Sequence, residues 1–171
     1  MTELRTERLV LRRARPDDLE PLHQVFGDQR AMQYWSNGPH TDLEQTRRWL
    51  NSMIDASPDE SDDFVIAVDG KVIGKLGCWK LPEIGFILRS DEWGKGYASE
   101  ALQAFLGHIF AARDIDHVTA DVDPRNAASL ELLKKHGFVE TGRAKATWNT
   151  HIGLCDSVYL VCQSKTSASS S

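Results

Sequence analysis

The sequence predicts a single α/β domain built on a mixed, mostly antiparallel sheet with flanking helices. Three observations carry this. β-branched and aromatic runs in the middle of the chain are joined by a tight hairpin signal, Asp69-Gly70. A strand, a glycine-rich turn and an apolar helix follow one another over residues 83–112. A strand–helix–strand crossover then brings residues 118–122 back parallel to residues 83–88.

The elements follow in order. Leu9-Val10-Leu11-Arg12 is an opening strand. Arg15-Pro16-Asp17-Asp18 starts a helix: proline suits the first turn, and the two acids complement the helix dipole. Leu19, Leu22, Val25 and Phe26 share one face of it, and Gly27 stops it. Residues 28–40 are irregular and aromatic, and either plug the core or form part of a substrate wall. Thr41 with Glu44 three residues on is a capping-box pattern. It predicts a helix over 42–54 that turns Trp49, Leu50, Met53 and Ile54 inward. Residues 57–63 read as an acidic surface loop.

Residues 64–68 and 71–79 form the hairpin, and Leu81-Pro82 separates it from a third strand at 83–88. Gly85 within that strand signals a bulge or a close backbone approach. The helix over 97–112 and the strand at 118–122 complete the crossover. A helix over 127–136 carries Leu130, Leu132 and Leu133, with Gly137 placed to end it. Residues 138–145 and 157–162 are closing strands, with 148–155 as the loop between them.

Whole-chain totals bound the class. With 171 residues, 41 % hydrophobic and 26 % charged, the chain suits one soluble domain that buries about 70 % of its unfolded surface. A net charge of -5 argues against a nucleic-acid partner. No apolar run approaches the roughly 20 residues of a membrane span. The opening residues are polar and alternate in charge, unlike a signal peptide. A cytoplasmic protein with no membrane partner is therefore expected. Cys78, Cys155 and Cys162 lack paired spacing and read as reduced thiols. The six histidines form no HxxxH pair, so no metal is expected. The domain is assigned to residues 1–163, and 164–171 to a disordered Ser-rich tail.

The most informative stretch is Trp93-Gly94-Lys95-Gly96-Tyr97-Ala98-Ser99-Glu100. Gly94 and Gly96 lack Cβ atoms, so successive N–H groups can converge on one point and an anion can come close. The following helix N-terminus adds unpaired donors and about half a positive charge. Lys95 adds a full one. The stretch is not a phosphate loop of the Gly-Lys-Ser/Thr type, because Gly94-Lys95 is followed by Gly96, and the chain's other Gly-Lys pairs, at 70–71 and 74–75, are followed by Val72 and Leu76. It lies too far along the chain for a dinucleotide fingerprint.

Three blocks resemble the GNAT superfamily of acyl-CoA-dependent N-acetyltransferases, in the branch that includes ribosomal-protein N-terminal acetyltransferases. They are Glu83-Ile84-Gly85-Phe86, the glycine block itself, and residues 126–138 from Asn126-Ala127-Ala128-Ser129 to His136-Gly137-Phe138. Arg8-Leu9-Val10-Leu11-Arg12 and Asp156-Ser157-Val158-Tyr159 fit the same branch. The resemblance implies acetyl-CoA as co-substrate. Backbone groups of Phe86, Ile87 and Leu88 would pair with its pantetheine arm. The turn from Trp93 through Ser99, by its amides from Gly94 on, would hold the pyrophosphate. Asn126 and Ser129 would lie near the pantetheine and the sulfur. The strands at 83–88 and 119–122 would splay to admit the thioester. Dimers are common among such proteins, so a homodimer is an option. Two positions depart from the pattern. Trp93 stands where Arg or Gln often opens the motif. Leu133 stands where many relatives carry a proton-donating Tyr, so that role would pass to Ser129, another hydroxyl or water.

The chemistry implied is direct acetyl transfer to a primary amine through a tetrahedral intermediate. The acceptor is either a protein N-terminus or a small amine. An amine with pKa near 10 needs a proton acceptor at neutral pH, and Glu83 is the candidate general base, directly or through one water. Strand amides around Ile87 are the candidate oxyanion donors. Ser129 is the candidate partner of the sulfur, and Asn126 is at once a helix cap and a ligand candidate. Tyr34, Trp35 and Trp148 are candidates to line the acceptor site. His40 and His151 are candidate auxiliary bases or solvated loop side chains. Two other readings remain: a CoA-binding regulatory module without transferase activity, and a nucleotide-binding regulator.

Overall fold

In the computed structural model of the chain, residues 2–165 are described. Eight strands form one sheet, β1 (Glu3–Arg5), β2 (Val10–Arg12), β3 (Asp62–Val68), β4 (Lys71–Lys80), β5 (Glu83–Leu88), β6 (His117–Val122), β7 (Val139–Thr150) and β8 (Gly153–Gln163). Their order across the sheet is β1-β2-β3-β4-β5-β6-β8-β7. Every neighbouring pair is antiparallel except β5 and β6. The helices are α1 (Leu19–Phe26), α2 (Leu43–Asp55), α3 (Tyr97–Ala112) and α4 (Ala127–Lys135). This is the mixed, largely antiparallel α/β architecture that the hairpin and crossover signals predict.

Alternation along the strands splits the core in two. Phe64 and Ile66 of β3 join the cluster built with Ala101, Leu102, Phe105 and Ile109 of α3 and Leu133 of α4. Val65 and Ala67, their immediate neighbours, join the cluster built with Leu22, Val25 and Phe26 of α1 and Leu50 of α2. The sheet is thus sandwiched between α3 and α4 on one face and α1 and α2 on the other.

Four expectations are corrected in detail. The N-cap of α2 is Asp42, reciprocated by Gln45, one residue beyond the expected Thr41–Glu44 pair. Ile54 of that helix faces outward. Asp62 and Asp63 are buried and belong to β3, not to a solvated loop. Asp62 is held by Arg13, Arg113 and His108, each contact at 2.8–3.0 Å. Asp63 pairs with the buried Lys75 at 2.8 Å. Their partners lie 12 to 51 residues away, out of reach of any local charge pattern. Finally, Trp148–Thr150 and Gly153–Cys155 are strand, so the expected 148–155 loop shrinks to a two-residue turn. A bulge with Ala146 at φ 53° interrupts β7 and hides its alternation.

The opening residues, read only as polar, add β1 to the sheet edge. Of the expected tail, Ser164 is tied to the domain, its N–H donating to Asp116 O at 2.8 Å. Residues 166–171 lie outside the described residues. No helix among the described residues is long and apolar enough to cross a membrane.

Candidate functional site

Two halves of a site meet where β5 leaves the sheet. The first is the turn between β5 and α3. Gly94 and Gly96 both take left-handed φ values, 76° and 84°, which a residue with a Cβ adopts only with strain. Gly96 caps α3 with its backbone. Among the described residues, none accepts a hydrogen bond from the amides of Gly94 through Ser99, so six donors remain at the helix N-terminus. Side chains brace the turn from behind. Arg8 donates to Lys95 O at 2.8 Å, pairs with Glu100 at 2.8 Å and sits 4.6 Å from the Tyr97 ring centre. The Trp93 indole donates to Leu88 O at 3.0 Å. Lys95 pairs with Glu92, and the Ser99 hydroxyl lies 2.7 Å from His136 Nε2. Ala98 lies against the core beneath the turn.

The second half is the β5–β6 junction. The two strands share one register pair, Glu83 with Thr119, fixed by Thr119 N–H donating to Pro82 O at 2.9 Å. Past it they part. On that side Phe86, Ile87 and Leu88 therefore have no ladder partner, while β4 pairs with all three on the other. The opening is a slot, bordered by backbone, that leads away from the glycine turn.

Glu83 stands at the closed end of the slot. Its Oε2 accepts from Trp79 Nε1 at 3.0 Å. Burial pushes its carboxyl above the ordinary range, with the negative Asp121 adding to the rise and the Trp79 N–H and Lys80 opposing it. Across the junction, Asp121 accepts from Trp148 Nε1 at 3.1 Å. Both indoles are about half exposed, Trp79 by 52 % and Trp148 by 45 %. The Tyr34 hydroxyl reaches Arg125 O at 3.4 Å, which links the α1–α2 connection to the loop before α4. Gly38 of that connection faces the His151 side chain at the tip of the β7–β8 hairpin.

Asn126 caps α4, its Oδ1 accepting from Ser129 N at 3.3 Å, so both lie at the first turn of that helix. Leu133 is fully buried in the core. Trp35 packs edge-on against Phe26 at 5.5 Å. His40 stacks on the same ring at 5.1 Å and contacts the Thr46 hydroxyl at 2.8 Å. Burial and nearby His23 lower its pKa. The structure thus gives Trp35 and His40 packing roles, joins Trp79 to Glu83 and Trp148 to Asp121 by hydrogen bonds on either side of the β5–β6 junction, and links Tyr34 to the loop before α4. The cysteines are free and buried, and burial pushes the Cys78 thiol up to about 12. That disfavours a thiolate nucleophile there.

Sequence reading missed Trp79, Asp121 and Arg8 as site residues. A signal existed for Asp121, which shares a face of β6 with Thr119. None existed for Trp79, which reaches Glu83 through a bulge, or for Arg8, which comes from 87 positions before Lys95.

Comparison with known proteins is consistent with this geometry. The family model described as an acetyltransferase (GNAT) domain matches residues 8–139. A Bacillus licheniformis protein described as the uncharacterized N-acetyltransferase p20 is 33 % identical over 151 residues, covering 83 % of this chain and 85 % of its own. Among solved structures, a Salmonella typhimurium acetyltransferase that modifies the N-terminal serine of ribosomal protein L7/L12 superposes with TM-score 0.85 at 21 % identity, covering 96 % of this chain and 100 % of its own. The Vibrio cholerae spermidine N-acetyltransferase, in complex with CoA and spermine, gives TM-score 0.79 at 21 % identity, covering 92 % and 96 %. At that identity these two show the fold.

Proposed function

The chain belongs to the GNAT acetyltransferase family, and on that premise we propose that it moves the acetyl group of acetyl-CoA directly to a primary amine, with Glu83 accepting the amine proton. The observation that carries this is a set of features along residues 83–99: six free amides at a doubly left-handed glycine turn, β5 backbone with no ladder partner on the β6 side past Glu83, and a carboxylate at the start of that strand. A diphosphate fits the first and an extended pantetheine arm the second, with Asn126 and Ser129 near its sulfur end. Bound acetyl-CoA supplies an activated thioester whose C–S bond breaks as the amine's C–N bond forms.

The chain's own residues do the rest. Amides of Gly94 through Ser99 hold the two phosphate charges. Backbone of Phe86 to Leu88 aligns the arm, and an amide near Ile87 faces the developing oxyanion. Glu83, raised by burial, takes a proton at a pH nearer neutral than an exposed carboxylate would. Leu133 can donate no proton, so the Ser129 hydroxyl or water protonates the departing sulfur. Tyr34 and Trp148 border the acceptor side. The acceptor is a protein N-terminus or a small amine, the two classes represented by the Salmonella and Vibrio proteins.

The test is release of CoA thiol against a panel of N-terminal peptides and small primary amines. Glu83→Gln is expected to lower turnover by roughly 10²-fold or more at neutral pH. The loss narrows at high pH, where the acceptor is already unprotonated. An equal loss at every pH removes Glu83 as proton acceptor. Tight CoA binding without thiol release for any amine supports the regulatory-module reading instead.

A further inference from the structure

We propose that Trp79 is a positioning residue that orients the Glu83 carboxylate, and that the bulge in β4 aims its indole there. The inference rests on the reading of Glu83 as proton acceptor.

The register between β4 and β5 runs Cys78 with Ile84, then Lys80 with Glu83. Trp79 is therefore the extra residue of a bulge, a device that re-aims a side chain. The neighbouring strand answers it. The indole lies over Gly85, where a Cβ would already touch Trp79 Cδ1 at 3.4 Å and a branched side chain would reach further into the ring. Seated this way, Nε1 donates to Glu83 Oε2 at 3.0 Å, while Oε1 accepts no hydrogen bond from the described residues. One oxygen is fixed and the other remains for a proton. The ring is half exposed, so core packing alone does not account for its placement.

The groups around Glu83 are few. Trp79 and Lys80 face it from β4, and Asp121 and Thr119 from β6. The Lys75 ammonium is nearby but pairs with Asp63 and donates to Gly85 O. Trp79 thus supplies the one hydrogen bond to this carboxylate among the described residues. A donor to a carboxylate favours its charged form, so removing the N–H makes Glu83 harder to ionise.

The test has two independent readouts. The Glu83 carboxyl is titrated by NMR in the ligand-free protein carrying 13C-labelled glutamate, with Glu83→Gln assigning the signal. Trp79→Phe keeps a ring and removes the N–H. Its Glu83 titration is expected to move up by about half a pH unit to one unit. The acid limb of kcat/KM should move with it, and CoA affinity should stay at the wild-type value. Gly85→Val, which crowds the indole and leaves both Trp79 and Glu83 in the sequence, should give the same upward shift. An unchanged Glu83 titration in Trp79→Phe overturns the proposal even if the protein is an active acetyltransferase. A shifted titration in a protein that releases no thiol would leave the positioning intact and sink the catalytic reading.

Discussion

Gly94 and Gly96 share a left-handed backbone but not a neighbourhood. A Cβ at Gly94 would meet open space, whereas one at Gly96 would come within 3.2 Å of the Arg8 guanidinium. Gly94→Asn, a residue that tolerates left-handed φ, should therefore keep CoA binding within a few fold. Gly96→Val combines backbone strain with displacement of Arg8, and should weaken binding beyond detection by isothermal titration. Equal affinities in the two variants would mean that the amides of this turn do not face the diphosphate. Buried Leu133 makes a related point at the single-residue level. Its side chain is part of the core cluster of α3 and α4, and leucine has no proton to donate.

Strands β3, β4 and β5 carry a second chemistry besides the slot. Asp63 and Lys75, 2.8 Å apart, are both almost wholly buried, and Lys75 also reaches the Gly85 carbonyl at 3.3 Å. A buried pair is expensive to break because the survivor keeps an uncompensated charge. Lys75→Met should lower unfolding free energy by about 3–5 kcal/mol in urea titration, and adding Asp63→Leu should recover most of that loss. Simple additivity of the two changes would show that the pair is not coupled. Asp62, ringed by Arg13, Arg113 and His108, works in the same strand with the opposite exposure of its partners. Its folded pKa is lowered by Arg113, Arg13 and His108, which together outweigh burial. The stability it adds is present above its unfolded pKa and is lost as pH falls through the folded one. Bulges matter as much as ladders in this sheet, since Trp79 in β4 and Trp148 in β7 both emerge at interrupted register.

Across the whole molecule, the cradle and Glu83 lie at the two ends of residues 83–99, but the slot between them needs β6, and Arg8 braces the cradle from the opening residues. Ligand binding should therefore tighten the entire fold. At a free CoA concentration 100 times its Kd, stabilisation is about 2.7 kcal/mol. For a chain of this size that is a rise in Tm of roughly 5–10 °C by calorimetry, and no rise at saturating CoA would contradict the cradle. The sequence by itself determined the strand–turn–helix order, the Asp69-Gly70 hairpin, the parallel return of β6 and the glycine block, because each is encoded by neighbours within one turn or one crossover. Only the tertiary structure decided that Asp62 and Asp63 are core, that 148–155 is strand, that Trp35 and His40 pack on Phe26, and that Trp79 holds Glu83. Those outcomes depend on partners brought from distant positions and on single-residue bulges that invert alternation. Burial and through-space charge are properties of the folded chain, and no window of adjacent residues contains them.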